Sequence, residues 1–205
     1  MLQGITAGFI LSLALFPGSI WLIKVGYNGR AAQCITLGVA FGLSQFIWLI
    51  VAVPGLMMMI KYLGFAYFAM HLFAAFVLAF MSYKFFRSRR AETLTDSSEI
   101  PVIPILFRNA LSRSLAMPMR LPAAVAVLLA TGAFVDHSVS MTTVYSVLIG
   151  ALIGVFWWWG QLTFLAVFFV KRIPEAITLK SINKARPFCG VVFICLAIMA
   201  LFFSA

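Results

Sequence analysis

Four long stretches of this sequence contain no Asp, Glu, Lys or Arg, and each is long enough to cross a lipid bilayer. They are residues 31–60, 62–83, 138–170 and 187–205. A transmembrane helix needs about 20 mainly apolar residues. The chain is 64% hydrophobic and only 10% charged, whereas a soluble domain is nearer to half apolar and a quarter charged. The sequence therefore predicts an all-α integral membrane protein.

Further apolar segments near the N-terminus and after residue 104 raise the expected number of transmembrane helices to six. The predicted spans are 2–22, 32–57, 62–83, one between 105 and 135, one between 139 and 170, and 187–203. The only long polar stretch separates the third span from the fourth, and we interpret it as a flexible cytoplasmic connector. The predicted organisation is a first three-helix repeat at 1–83, a connector at 84–104 and a second three-helix repeat at 105–205.

Basic residues concentrate in the loops that follow the odd-numbered spans. These loops contain Lys24 and Arg30, then Lys84, Arg87, Arg89 and Arg90, then Lys171, Arg172, Lys180, Lys184 and Arg186. Because cytoplasmic loops are enriched in Lys and Arg, all three loops are expected in the cytoplasm, with both termini outside. The net charge of +10 belongs to these short loops, so we do not expect a nucleic-acid partner.

The two halves carry similar features in the same order. "LALFPGS" at 13–19 matches "SLAMPMR" at 114–120, and each half continues with a Gly-x-x-x-Gly helix, at Gly38 and Gly42 or at Gly150 and Gly154. Three spans per half is an odd number, so the halves must be inverted relative to each other. Inverted repeats with proline-broken first and fourth helices indicate a transporter whose site lies at the repeat interface. Chance similarity between apolar segments is the competing interpretation.

The proline breaks and the arginine beside the second break are the main candidates for a substrate site. Pro17 and Pro118 each free a carbonyl one turn earlier, and broken backbone survives in a membrane only inside protein or along a wet cavity. Gly18 would let a ligand approach the backbone. Arg120 is the deepest basic residue, and its guanidinium can bind a carboxylate through two hydrogen bonds. The alternative is two ordinary kinks with a snorkelling arginine.

Other polar residues inside the spans complete the predicted set. The further candidate substrate-binding residues are Ser19, Ser44, Gln45, Tyr67, Met117 and Gln161. Helical spacing places each glutamine on the glycine face of its helix, so both are expected to face the bundle interior; close helix packing is the alternative role for that face. His71 is a candidate proton relay, or a hydrogen-bonded structural histidine. We predict no enzyme activity, cofactor or metal site, because the spans lack acidic residues and cysteine spacings typical of zinc sites.

These motifs resemble the LysE/RhtB family of bacterial amino-acid exporters over nearly the whole chain. Residues 16–19, Phe-Pro-Gly-Ser, look like the family's Ser-Pro-Gly-Pro motif, and Met117-Pro118-Met119 with Arg120 looks like its Asn-Pro-Lys motif. "LGFAYF" at 63–68 is similar to the Gly-x-x-Tyr opening of the third helix, and "WWWGQ" at 157–161 to the aromatic fifth helix. The chain departs from the family at Ser19, Met117 and Leu43, where Pro, Asn and often Asp are expected.

The resemblance implies a secondary transporter in the bacterial inner membrane. It would export a small amino acid or a related zwitterionic or anionic metabolite, driven by the proton gradient. The implied partners are the substrate and the lipid bilayer, and a homodimer is a candidate assembly. The departures from the motifs favour one alternative, an accessory or scaffold membrane protein that has the transporter fold without transport.

Overall fold

The computed structural model describes residues 1–14, 16–62, 67–88, 90–94, 101–117, 119–132 and 141–202, and these residues are almost entirely helical. The helices are α1 (Leu2–Leu13), α2 (Phe16–Asn28), α3 (Ala31–Tyr62), α4 (Tyr67–Arg87), α5 (Ile103–Leu115), α6 (Arg120–Ala130), α7 (Met141–Phe168) and α8 (Glu175–Phe202). A 3-10 turn, Val170–Arg172, joins α7 to α8. The prediction of an all-α protein is confirmed for this part of the chain.

Four helices are long and apolar enough to cross a membrane individually. They lie within α3 (Ala31–Ile60), α4, α7 and α8. The remaining candidates are bent pairs, in which α2 turns from α1 by 67° and α6 turns from α5 by 66°. The chain therefore has four such helices, or up to six if each bent pair forms one span. This is the arrangement of a multi-pass membrane protein.

The last helix begins well before the predicted start of the sixth span at residue 187. Pro187 lies inside α8, which starts at Glu175. Contacts with the segment after α4 hold this polar extension: Asn183 exchanges hydrogen bonds of 3.0 and 3.2 Å with the backbone of Ala91. Hydropathy identifies the membrane-embedded part of a helix, but it cannot detect a polar extension stabilised by tertiary contacts.

The order of contacts along each helix gives its direction. Along α1 and α7 the residue numbers of contacting residues increase together, so these helices run parallel. The close approaches are Gly4 with Val147, Gly8 with Ala151, and Gly154 with Ile5 and Phe9. Along α3 and α7 the residue numbers of contacting residues change in opposite directions, since Gly38 contacts Thr163 and Gly42 contacts Phe156. These two helices are therefore antiparallel. All four predicted Gly-x-x-x-Gly positions therefore lie at helix–helix contacts, where a small residue permits close approach.

The three basic loops meet at one end of the bundle. Tyr27 Oη donates to the carbonyl oxygen of Ile173 at 3.0 Å, and Lys171 Nζ donates to the carbonyl oxygen of Gly29 at 2.9 Å. The backbone N–H of Leu94 donates to a carboxylate oxygen of Glu175 at 2.6 Å. The loops after α2, α4 and α7 thus share one side, as the distribution of basic residues predicts. We call this the basic end.

Candidate functional site

The first break places a proline where a helix can accept one. Pro17 is the second residue of α2, which begins at Phe16. The first turn of a helix tolerates proline because N–H groups there have no intrahelical partner. The second break joins Leu115 to Arg120, the first residue of α6. Pro118, a predicted site residue in this junction, lies outside the described residues.

The two breaks line a common cavity of about 400 Å³, which we call the central cavity. Pro17 forms part of its wall on one side, and Met117 and Arg120 lie on the other. The rest of the wall is mainly aromatic and aliphatic, from Phe16, Ile20, Phe80, Phe85 and Ala123. Lys84 at the end of α4 and Arg186 in α8 also line it, at the level of the basic end. The structure thus brings residues beside the two predicted breaks together in one cavity wall.

A second, smaller cavity of about 340 Å³ adjoins the first break. It shares Pro17 and Met117 with the central cavity, and Gly18 and Ser114 also line it. Across it the Arg113 guanidinium lies over the Trp21 ring, 5.5 Å from the centroid. Such a cation–π contact already stabilises this arginine, and Lys24 also lines the second cavity.

Arg120 is buried in the protein with only part of its hydrogen-bonding capacity used. The residue is 5% exposed. Its Nη2 donates to Ser114 Oγ at 3.4 Å, and its Nη1 has no hydrogen-bond partner among the described residues. Neither of the described acidic residues, Glu92 and Glu175, lines the central cavity. A buried charge without compensation is costly, so this incompletely hydrogen-bonded guanidinium group is the main candidate for binding an anion.

The hydrogen bonds of Arg120 also locate it within the bundle. Ser114 Oγ lies 2.7 Å from Ser44 Oγ on α3. Ser44 is about 20 Å from the start of α3, at about 1.5 Å per residue, and α3 has 32 residues. This position is close to the middle of the helix, and the apolar core of a bilayer is about 30 Å thick. Arg120 is therefore far from either end of the bundle, and its side chain lines the cavity.

Two consecutive residues of α3 connect the two breaks. Ser44 contacts Ser114 at the end of α5, whereas Gln45 contacts the end of α1. Ser12 Oγ donates to Gln45 Oε1 at 2.8 Å, and Gln45 Nε2 donates to the carbonyl oxygen of Leu11 at 3.3 Å. Ser44 and Gln45 are both 0% exposed and line neither cavity. The structure therefore gives these two predicted site residues positions behind the wall, where they hold the breaks in place.

Tyr67 and His71 lie away from both cavities. Their rings pack with centroids 4.3 Å apart, and His71 Nδ1 lies 3.1 Å from the Tyr67 carbonyl oxygen. His71 is 1% exposed. Along α4 it precedes Lys84 by about 20 Å. The hydrogen-bonded structural histidine, which the sequence left as an alternative, matches this geometry better than a relay at the central cavity.

Gln161 does not face the bundle interior, which corrects the expectation drawn from helical spacing. It is exposed on α7 and lines neither cavity. On the same face α1 covers Gly154, but α1 ends at Leu13 and the chain turns away by 67°. The bend leaves the later part of this α7 face uncovered, and helical spacing alone cannot reveal that a neighbouring helix ends.

The structure also adds residues that the sequence did not single out. Ser12 and Ser114 are buried hydroxyls at the ends of α1 and α5, and Lys84 and Arg186 line the central cavity. The sequence predicts both cations in loops, where basic residues indicate topology, but they lie in α4 and α8. Ser19 at the first break is 4% exposed, and its Oγ has no hydrogen-bond partner within the described residues.

No family model, curated protein or solved structure matches this chain. Within the described residues, no group of three or more His, Cys, Asp or Glu side chains is placed to hold a metal ion. The interpretation of the central cavity therefore depends on its own chemistry: a buried guanidinium group, two further cations and an apolar wall between two broken helices.

Proposed function

We propose that this protein is a secondary transporter that exports a small amino acid, or a related zwitterionic or anionic metabolite, across the bacterial inner membrane. The observation that carries the proposal is Arg120, whose buried guanidinium group lines a cavity between two broken helices and lacks a carboxylate partner there. Transporters commonly place substrate sites at broken helices between repeats. The resemblance of the two break motifs to LysE/RhtB exporters favours amino-acid-like substrates and coupling to the proton gradient.

The helix directions support six membrane crossings. Helix α7 is antiparallel to α3. If α4 returns across the membrane after α3, then α7 can oppose α3 only when the bent pair α5–α6 also crosses. Helix α1 is parallel to α7 and hence opposes α3, which in the same way favours a crossing by α1–α2. Two re-entrant pairs would make α3 and α7 parallel.

The packing pattern supports an inverted repeat. In an inverted repeat, α1, α2 and α3 correspond to α5, α6 and α7. The α1–α7 contact then corresponds to the α5–α3 contact, and the α2–α7 contact to the α6–α3 contact; all four contacts occur. The bends of 67° and 66° are also nearly equal. The halves also differ, because the α4–α6, α6–α8 and α2–α3 contacts are more extensive than the α8–α2, α2–α4 and α6–α7 contacts that exchange would give. Such differences are expected when an alternating-access transporter rests in one of its two states.

Two experiments test this proposal. Reporter fusions at Ala205 and near Thr95 should indicate opposite sides of the membrane, and a result placing both on one side would contradict six spans. Overproduction should lower the cytoplasmic pool of at least one amino acid or close derivative, measured by metabolite analysis and by efflux from loaded vesicles. Unchanged efflux for all twenty amino acids and common analogues and derivatives would favour the alternative, a scaffold protein with the transporter fold.

A further inference from the structure

We infer that the central cavity selects a net-anionic substrate with negative groups at both ends, such as a short dicarboxylate, and disfavours a zwitterion with a free ammonium group. This inference depends on the proposed function and narrows its substrate class. It is based on the charged lining of the cavity, which consists of Lys84, Arg120 and Arg186 and includes no carboxylate among the described residues.

The deep end of the cavity is suited to one carboxylate. Arg120 Nη1 is buried and has no hydrogen-bond partner among the described residues, while Nη2 contacts Ser114 Oγ at 3.4 Å, longer than an optimal bond. A carboxylate could accept from both nitrogens. Arg120 is also the first residue of α6, whose N-cap Met119 makes no side-chain capping bond. The helix dipole at this end also favours a negative group.

The shallow end is suited to a second negative group. Lys84 is exposed near the basic end and lines the same cavity. Arg186 is 8% exposed and donates to the carbonyl oxygen of Ser88. Most other side chains of the wall are apolar, and Phe16 packs edge-on against Phe85 with ring centroids 6.1 Å apart. The site therefore fits a compound with two charged ends and a short apolar middle.

A free ammonium group would find no carboxylate among the described residues that line this cavity. The neutral acceptors of Ser88 are already engaged in part, because its carbonyl accepts from Arg186 and its Oγ donates to the carbonyl oxygen of Phe85 at 3.0 Å. Met117 and Met119 contribute only weakly accepting sulfur atoms. The three cations would also repel an ammonium group, and this repulsion is stronger away from bulk water. Selectivity against zwitterions thus follows from repulsion of the ammonium group as well as from attraction of the anionic groups.

The direct test compares ligands that differ in charge. Thermal stabilisation of the purified full-length protein in detergent is measured with succinate, N-acetylalanine and alanine, and counterflow of the same compounds is measured in proteoliposomes. We expect succinate to bind at least about tenfold more tightly than alanine, the difference that one lost charge-assisted hydrogen bond produces. N-acetylalanine, which has one negative charge and no ammonium group, should fall between them.

The outcomes separate this inference from the proposed function. Transport that favours alanine or other zwitterions over succinate would overturn the inference and leave the exporter standing. Succinate binding that depends on Arg120, without transport of any compound tested, would support the anion site and contradict the exporter. If succinate and N-acetylalanine are neither bound nor transported, the inference is overturned; the exporter is overturned as well only if efflux of the twenty amino acids and their analogues is also unchanged.

Matched variants locate the two ends. Arg120→Gln should weaken binding of both anions by at least about tenfold, and Arg120→Lys should give an intermediate loss because the charge remains but the two-pronged geometry does not. Arg108→Gln, at an exposed position on α5 that lines neither cavity, is the control for the charge change.

The second end is tested at an exposed residue, where folding is not at risk. Lys84→Gln should weaken succinate binding several-fold and leave N-acetylalanine binding nearly unchanged, because only the dianion reaches Lys84. An equal loss for both compounds, or no loss for either, would overturn the two-ended site. This comparison remains informative if Arg120→Gln fails to give a monodisperse protein.

Discussion

The two broken helices have nearly the same bend but different chemistry at the bend. The first break separates Leu13 from Phe16 and lines the central cavity with apolar side chains, including Pro17. The second separates Leu115 from Arg120 and contributes a buried cation. If the halves are inverted repeats, the geometry has been kept in both while the charge is present in only one. Both breaks therefore line the cavity, but only the second contributes a buried cation to its wall.

The two breaks are also held in different ways. Ahead of the first break, α1 packs closely on α7, where a Cβ atom at Gly8 would overlap the backbone of Ala151. Ahead of the second, α5 packs on α3 and Ser114 shares a hydrogen bond with Ser44. A close backbone contact leaves little room for movement, whereas a single hydroxyl pair can exchange partners. We therefore expect the first half to tolerate less change in its packing than the second.

The largest effect should come from the charge at the second break. Arg120→Ala should reduce transport to background, because it removes the buried cation. Folding should remain normal, because the variant also removes the cost of burying that charge. Efflux from loaded vesicles and size-exclusion profiles provide the measurement, with Arg108→Ala as the control. If Arg120→Ala folds and transports normally, the asymmetry between the breaks has no functional meaning and the site lies elsewhere.

Packing at the first half should give the next largest effect. Gly8→Val should destabilise the protein by about 3 kcal/mol. The Cβ of the introduced valine would overlap the carbonyl of Ala151 and force α1 away from α7. The midpoint of thermal unfolding in detergent measures this change. Gly160→Ala on α7 is the control, since a Cβ there has no described neighbour within 4 Å. Equal stability of the two variants would contradict the close packing of α1 on α7.

The two polar connections from α3 should differ more modestly. Gln45→Leu should lower the free energy of unfolding by about 1–3 kcal/mol, because the Leu11 carbonyl loses the side-chain amide that donates to it. Ser44→Ala should cost less, since Ser114 keeps its contact with Arg120. Thermal unfolding of both variants, made in parallel, tests the order. A larger loss for Ser44→Ala would mean that the second break is the more rigidly held one.

The smallest effect is expected outside both breaks. Gln161→Ala should change stability by less than about 0.5 kcal/mol and leave efflux unchanged, because the side chain is exposed and lines neither cavity. Vesicle efflux and thermal unfolding are the readouts, with Arg120→Ala as the positive control for loss of transport. A clear loss of efflux would restore Gln161 as a site residue and require a conformation in which α7 turns inward.

The sequence by itself determined the helical membrane class, the positions of the two breaks and the shared side of the three basic loops. These properties follow from local chemistry, because uncharged runs, prolines and clusters of lysine and arginine act wherever they occur in the chain. It also identified Arg120 as the cation beside the second break. Helix lengths were less accurate where tertiary contacts extend a helix, as Asn183 does for α8.

Only the tertiary structure decided which side chains share the cavity. Lys84 and Arg186 are 102 positions apart in sequence, in regions where basic residues indicate topology, yet both line one cavity with Arg120. Gln161 has the helical spacing of an inward residue, yet it is exposed because α1 bends away before reaching it. Periodicity fixes the face of a helix on which a residue lies. Whether that face meets another helix, a cavity or lipid depends on where the neighbouring helix ends and turns, which no pattern within one helix records.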